Sequence, residues 1–234
     1  HAQMNTRTKM FCSCSAAFTL EPNTHTCPVC AGHPGVLPVV NREAVEKALR
    51  IAIALNCQIA PLTRFDRKNY YYPDLPKNYQ ISQNHNNLGV HGFIDLDING
   101  TSRRIRINNV HMEEDAGKLI HPEEPGANWS LVDLNRSGTP LAEIVTEPDI
   151  RSVEEARLYM ETLRSILLYI DASDCKMQEG SLRFEASISL RPPGQKAYGG
   201  RVEIKNLNSM KAVLGALQYE EGRQRELLQS GGTQ

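Results

Sequence analysis

The sequence predicts an α+β fold with a mainly antiparallel sheet and flanking helices. Two observations predict it. Helical periodicities and hairpin signals are interspersed, with no strand–helix–strand alternation of the kind a parallel sheet leaves. Phe93-Ile-Asp-Leu-Asp-Ile98 and Thr101 to Asn108 alternate around Asn99-Gly100, the residue pair that suits a type I′ hairpin turn. A third observation adds a small unit near the N-terminus. Cys12-Ser-Cys14 and Cys27-Pro-Val-Cys30 are two close pairs with twelve residues between them. Four soft thiolate ligands at this spacing suit one tetrahedral Zn²⁺, so residues 10–35 are expected to form a zinc knuckle. The alternative is a disulfide framework. His25 and His33 are spare donors nearby, while Cys57 and Cys175 stand alone as small core residues.

Asn41 is expected to start a helix running to about Asn56, with Val45, Ala48, Leu49, Ala52 and Leu55 on its buried face. Asp66 to Gln83 interleaves four tyrosines with Arg67, Lys68 and Lys77 and contains two prolines. Aromatics stack on bases and cations hold phosphates, so this stretch is either a binding loop or a proline-broken loop packed on the body. The return strand of the hairpin runs into His111-Met-Glu-Glu-Asp-Ala-Gly-Lys118. Carboxylates beside a His at a strand end suit a hard cation such as Mg²⁺. The plain alternative is a solvated acidic loop. Strand alternation puts Met112 and Glu114 on one side and Glu113 on the other, so only one of the paired glutamates faces a given site.

Val132 to Leu141 is turn-rich, and Leu141 to Asp149 adds further carboxylates. Ser152-Val-Glu-Glu155 is a capping box for a helix to about Ile170, with Ala156, Tyr159, Leu163, Ile166 and Ile170 inward. Leu182 to Leu190 and Val202 to Ile204 alternate as two antiparallel strands. Their polar face carries Arg183, Glu185, Glu203 and Lys205, which is either an ordinary wet sheet face or a set of mixed charges able to hold phosphates and metal. A last helix spans Ser209 to about Gln229, and Ser230 to Gln234 reads as its exit.

The chain has 234 residues, 40% hydrophobic and 23% charged, with net charge −1. That is ordinary globular composition and excludes a broadly basic surface. No apolar run reaches 18 residues, so no membrane span is expected. Neither G-x-x-x-x-G-K-[ST] nor G-x-G-x-x-G occurs, which excludes a P-loop and a dinucleotide fingerprint. The opening at His1 without Met reads as that of a fragment.

Taken together, Cys27 to Pro38, Phe65 to Tyr70, Tyr72 to Pro76, Tyr79 to Gln83, His111 to Lys118, Val132 to Leu141, Glu143 to Asp149 and Glu179-Gly-Ser-Leu-Arg183 closely resemble the GatB family, the B subunits of the aspartyl/glutamyl-tRNA(Asn/Gln) amidotransferases. The resemblance runs through the whole chain. It implies that residues 1–234 are the family's catalytic cradle domain, without its helical and C-terminal tail domains. It implies an ATP-dependent carbon–nitrogen ligase subunit using glutamine as amide donor. Its partners would be an amidase subunit (GatA-like) and a small linker subunit (GatC-like) in a heterotrimer. Misacylated Glu-tRNA(Gln) or Asp-tRNA(Asn) would be the substrate, in a bacterial cytoplasm or an organellar matrix or stroma, with no membrane partner. By matching position, His1, Glu114 and Glu143 would be the catalytic residues that hold Mg²⁺, and Cys12, Cys14, Cys27 and Cys30 would hold a structural Zn²⁺. Charge and placement suggest Lys68, Ser181, Arg183 and Lys205 as contacts to ATP phosphates or to the carboxylate. The runner-up is a noncatalytic zinc-stabilised RNA-binding module resting on the cysteines and the tyrosine-rich stretch.

Overall fold

The computed structural model describes residues 1–124 and 126–233. Gln234, the end of the expected helix exit, lies outside the described residues. In chain order the elements are β1 (Ala2–Gln3), α1 (Arg42–Ala54), β2 (Gln58–Ile59), β3 (Asp66–Asn69), β4 (Tyr79–Ser82), β5 (Gly89–Ile98), β6 (Thr101–Glu114), β7 (Lys118–Ile120), β8 (Leu131–Asp133), β9 (Pro140–Thr146), α2 (Val153–Tyr169), β10 (Ala186–Ile188), β11 (Val202–Ile204) and α3 (Met210–Gln229). The main sheet has the order β1-β9-β6-β5-β2, with every neighbouring pair antiparallel. The remaining strands form three two-stranded ribbons, β3–β4, β7–β8 and β10–β11. The α+β expectation is met.

The β5–β6 hairpin closes at Asn99 (φ 51°) and Gly100 (φ 81°), the two positive φ values that a type I′ turn requires. Each helix starts where its cap residue lies. Asn41 accepts from the amides of Glu43 and Ala44, Ser152 from Glu155, and Ser209 from Ala212. The buried face of α1 differs in part from the expected stripe. Ala44, Ala48, Ile51 and Ala52 are buried, and so is Lys47, whose ammonium donates to the Asp171 carbonyl at 2.6 Å. A carbonyl partner for the ammonium lets the buried lysine stem serve as core packing. Cys57 is the small core residue expected; its sulfur lies where a Cβ on Gly92 would come within 2.4 Å, and burial pushes its pKa up to about 11. No helix among the described residues is long and apolar enough to cross a membrane.

One irregularity decides which side chains leave the core. On β6, Ile105 and Ile107 point into the core, yet beyond them the buried apolar residues are Val110 and Met112. The pairing with β9 slips by one residue between Ile107 and Asn109, and His91, level with this point on β5, has φ 55°. An extra residue in a strand reverses the alternation beyond it. Without it, His111 and Glu113 would face the helices. With it, they face away and join Glu143.

Candidate active site

On the face of the sheet away from the core, β1, β6 and β9 bring three ligand-type side chains together. His111 pairs with Glu143 across β6–β9, and Glu113 follows two residues along. His1 enters from the edge. Its nitrogen donates to the Arg183 carbonyl and its carbonyl accepts from the Arg183 amide, both at 2.9 Å. His1 Nδ1 lies 3.1 Å from Glu113 Oε1 and 3.7 Å from Glu143 Oε2, and His1 Nε2 lies 3.6 Å from Glu185 Oε1. One donor atom each from His1, Glu113 and Glu143 lies within 4.8 Å of the other two. His111 Nδ1 is 2.8 Å from Asn109 Oδ1, and its Nε2 is 3.2 Å from Glu143 Oε2.

The electrostatics match a site arranged for a cation. Burial drives the His1 imidazole toward the neutral form. The Glu113 hydrogen bond and the charges of Glu143, Glu113 and Glu185 outweigh it, so its pKa stands above the ordinary value. Burial likewise opposes ionisation of Glu143, but the His111 hydrogen bond and the charges of His1, His111 and Lys68 hold its pKa below the ordinary value. Two carboxylates and an imidazole, half-wrapped by protein, form a donor set that fits a hard divalent cation.

The four cysteines form the second donor group. Their sulfurs all lie within 4.8 Å of one another. The Cys27 amide donates to Cys30 Sγ at 3.2 Å, and the Cys27 and Cys30 sulfurs are 3.9 Å apart. Tetrahedral bonds of about 2.3 Å to a shared ion need sulfurs about 3.8 Å apart, whereas a disulfide needs about 2.05 Å. The observed spacing suits a shared ion and is too long for a disulfide. The Cys12 hydrogen bond, followed by other neighbours that include the Lys9 charge, holds the Cys30 thiol down to about 4, while burial pushes Cys14 up to about 11. Such a cluster binds a soft divalent ion by releasing its remaining protons.

Lys9 is fully buried and ties this unit to the body. Its ammonium donates to the carbonyls of His25 (2.7 Å) and Leu134 (3.1 Å). Replacing Lys9 with Met removes the cation beside the thiolates and leaves two carbonyls short of a donor. The expected result is an affinity for Zn²⁺ lower by about tenfold, read by competition with a chromophoric chelator. Unchanged affinity in a folded variant contradicts this role. Freshly purified, reduced protein is expected to carry about one zinc per chain by metal analysis. Finding none contradicts the tetrathiolate reading.

A family model described as the GatB/GatE catalytic domain matches residues 1–233. The chain belongs to this family. Among proteins similar to this GatB/GatE domain, the aspartyl/glutamyl-tRNA(Asn/Gln) amidotransferase B subunit of Moorella thermoacetica is 59% identical over 232 residues, covering 99% of this chain and 49% of that protein. The corresponding B subunits of Carboxydothermus hydrogenoformans and Persephonella marina are each 55% identical, covering 99% of this chain and 48% of their own length. The chain spans about half the length of the curated relatives it matches.

The residues expected at the site of this GatB/GatE domain divide into two sets. The structure joins His1 and Glu143 with Glu113, not with Glu114. Glu114 points to the opposite side of β6, where it is 3% exposed. There it pairs with the Lys77 ammonium and accepts from the Ile81 amide at 3.0 Å. The strand irregularity is the physical reason, because continuing the Ile105/Ile107 alternation unbroken would turn Glu114 toward His1. Arg183 lies beside His1 through the backbone pair. Lys68 is close enough for its charge to act on Glu143, and the charge of Lys205 acts on Tyr70. Lys205 also lies 3.6 Å from Glu203 on β11. Ser181 is not presented. Its hydroxyl bonds Asp174 and accepts from the Lys176 amide at 2.8 Å, closing the turn around Met177–Glu179. Sequence reasoning offered the His111 stretch as a hard-cation site and Glu185 as part of a charged face. Its ligand set left out Glu113, His111 and Glu185, which the structure places in or beside the cluster. Alternation separates Glu113 from Glu114, and the slip in β6 decides that Glu113 is the one that meets His1.

Proposed function

We propose that this domain is the ATP-dependent activating module of a tRNA-dependent amidotransferase. It would phosphorylate the side-chain carboxylate of glutamate or aspartate carried on a misacylated tRNA. The γ-phosphoryl group of ATP passes to a carboxylate oxygen, ADP leaves, and an acyl phosphate forms. Ammonia released from glutamine then attacks the acyl carbon, phosphate departs, and the amide is formed as Gln-tRNA(Gln) or Asn-tRNA(Asn). Activation is needed because a carboxylate has only oxide to expel, whereas the mixed anhydride expels phosphate.

The observation that carries this reading is the His1, Glu113 and Glu143 cluster beside Arg183 and Lys68, in a chain of this family. His1, Glu113 and Glu143 would hold a divalent cation such as Mg²⁺. When bound, that cation screens the charge of the triphosphate and of the transferring group. His111 and Glu185 hold the ligand side chains in place through the contacts described. Arg183 and Lys68 supply positive charge for phosphate oxygens or for the reacting carboxylate. Exposed Tyr70, Tyr71 and Tyr72 offer ring faces on which unpaired bases at a tRNA end stack. The four cysteines fit a structural Zn²⁺. Ammonia would come from a GatA-like amidase subunit, with a GatC-like linker completing a heterotrimer in a bacterial cytoplasm or an organellar matrix or stroma. A noncatalytic RNA-binding module is not favoured, since it leaves the carboxylate cluster without a role.

The test uses the full-length protein with its partner subunits, γ-labelled ATP and purified Glu-tRNA(Gln) or Asp-tRNA(Asn). Phosphate release that depends on the misacylated tRNA, with the amide formed once glutamine is added, is expected. Tight tRNA binding with no ATP consumption would instead support the RNA-binding module.

A further inference from the structure

Two residues beyond Glu113 on the same strand direction, Asp115 is 3% exposed and surrounded by donors. Its Oδ2 accepts from Gln3 Nε2 at 2.7 Å and lies 3.7 Å from Arg136 Nε. Its Oδ1 accepts from Arg183 Nη2 at 3.1 Å and from the Ala116 amide at 2.9 Å. The backbone of Asp115 is fixed as well, its amide donating to Thr139 and its carbonyl accepting from Gly138, each at 2.9 Å. A carboxylate held at this many points is a rigid anchor.

Its partner Arg183 is held at the side chain by Asp115 and little else. Arg183 Nε is buried without a hydrogen-bond partner, and Asp115 is the side-chain acceptor of its guanidinium among the described residues. The side chain remains 34% exposed. Arg183 sits directly opposite His1 in the backbone pairing, so both side chains leave the same face. Arg136 is fixed separately, through the carbonyls of Ala116 (2.9 Å) and Gly117 (2.7 Å). Asp115 thus orients one guanidinium beside the ligand cluster and lies close to a second.

We propose that Asp115 is a positioning residue for the nucleotide: it fixes Arg183 beside His1, so that the guanidinium meets the phosphate chain already oriented. The inference rests on the reading of the site as ATP-binding. Fixed, pre-oriented positive charge binds polyphosphate better than a mobile side chain, because the ordering cost is met on folding.

The experiment measures two affinities on the full-length protein: Mn²⁺ alone, by electron paramagnetic resonance, and a nonhydrolysable ATP analogue with Mg²⁺, by calorimetry. Asp115→Asn keeps the shape and removes the charge. It is expected to raise the analogue's Kd about tenfold and to leave the Mn²⁺ Kd unchanged. Arg183→Gln is expected to weaken the analogue similarly, and the double variant to be no worse than Arg183→Gln, because Asp115 acts through Arg183. Should Asp115→Asn fail to fold, Gln3→Leu removes one donor from Asp115 with its charge intact, and a smaller rise confined to the analogue is expected. Equal loss of Mn²⁺ and analogue affinity, full additivity in the double variant, or an unchanged analogue Kd in both Asp115→Asn and Gln3→Leu overturns the proposal. Unmodified protein that binds Mn²⁺ but no analogue overturns the ATP reading itself, and this inference with it.

Discussion

Glu113→Gln in the full-length protein is expected to abolish Mg²⁺ or Mn²⁺ binding at the His1 cluster and to slow the proposed ATP-dependent phosphorylation by about a thousandfold, equivalent to about 4 kcal/mol of barrier. The substitution keeps the shape and the hydrogen-bonding reach of Glu113 but removes one of the two carboxylate charges in the donor set. An amide oxygen is a much weaker ligand for a hard cation. The fold should survive, because the His1 Nδ1 contact at 3.1 Å has a polar partner in either case. Glu143→Gln is expected to behave in the same way, with the added loss of the His111 contact at 3.2 Å. Near-normal cation binding in both variants, measured by titration calorimetry, would exclude the cluster as the metal site.

The neighbouring residue predicts a different outcome. Glu114→Ala is expected to destabilise the domain by about 3–5 kcal/mol, because it strands the Lys77 ammonium in a buried position and leaves the Ile81 amide without its acceptor. The Lys77 and Glu114 side chains are 11% and 4% exposed, so solvent compensates little for the loss. Glu114 also fastens β4 to β6, through the Ile81 amide and the bond from Gln80 Nε2 to its carbonyl at 2.8 Å. Loosening that attachment frees the tyrosine-bearing ribbon. Thermal melting should show a fall on the order of 10 °C in the transition of this domain. Cation binding per folded molecule should be retained. Two adjacent glutamates would then separate cleanly, one failing in binding and the other in stability. A stable Glu114→Ala protein that has lost its cation would reverse the assignment.

Much of this was legible from residue order. Asn99-Gly100 fixed the hairpin, and Asn41, Ser152 and Ser209 fixed the helix starts, because turn and cap chemistry is local. The cysteine spacing marked a knuckle whose four sulfurs do converge. Alternation already required that Glu113 and Glu114 face opposite ways. It was silent on which one meets His1, since that depends on the register slip between Ile107 and Asn109, where β6 pairs with Thr146 and Val145 of the distant strand β9. Ser181 was singled out by placement, but its hydroxyl is used within its own turn by Asp174 and Lys176. Lys9 and Lys47 carry no sequence signal for burial. Their acceptors are backbone carbonyls of distant segments, at Leu134 and Asp171. His1 carries no local signal either. Its role as a candidate ligand came from the family resemblance, and its partners from the sheet.

The most direct test is a crystal structure of the full-length protein soaked with Mn²⁺ and a nonhydrolysable ATP analogue, with the metal located by anomalous scattering. A Mn²⁺ peak about 2.1 Å from donor atoms of His1, Glu113 and Glu143, with Glu114 still paired to Lys77, is the predicted result. A peak ligated by Glu114, or nucleotide-bound metal held elsewhere with the His1 cluster empty, would contradict it.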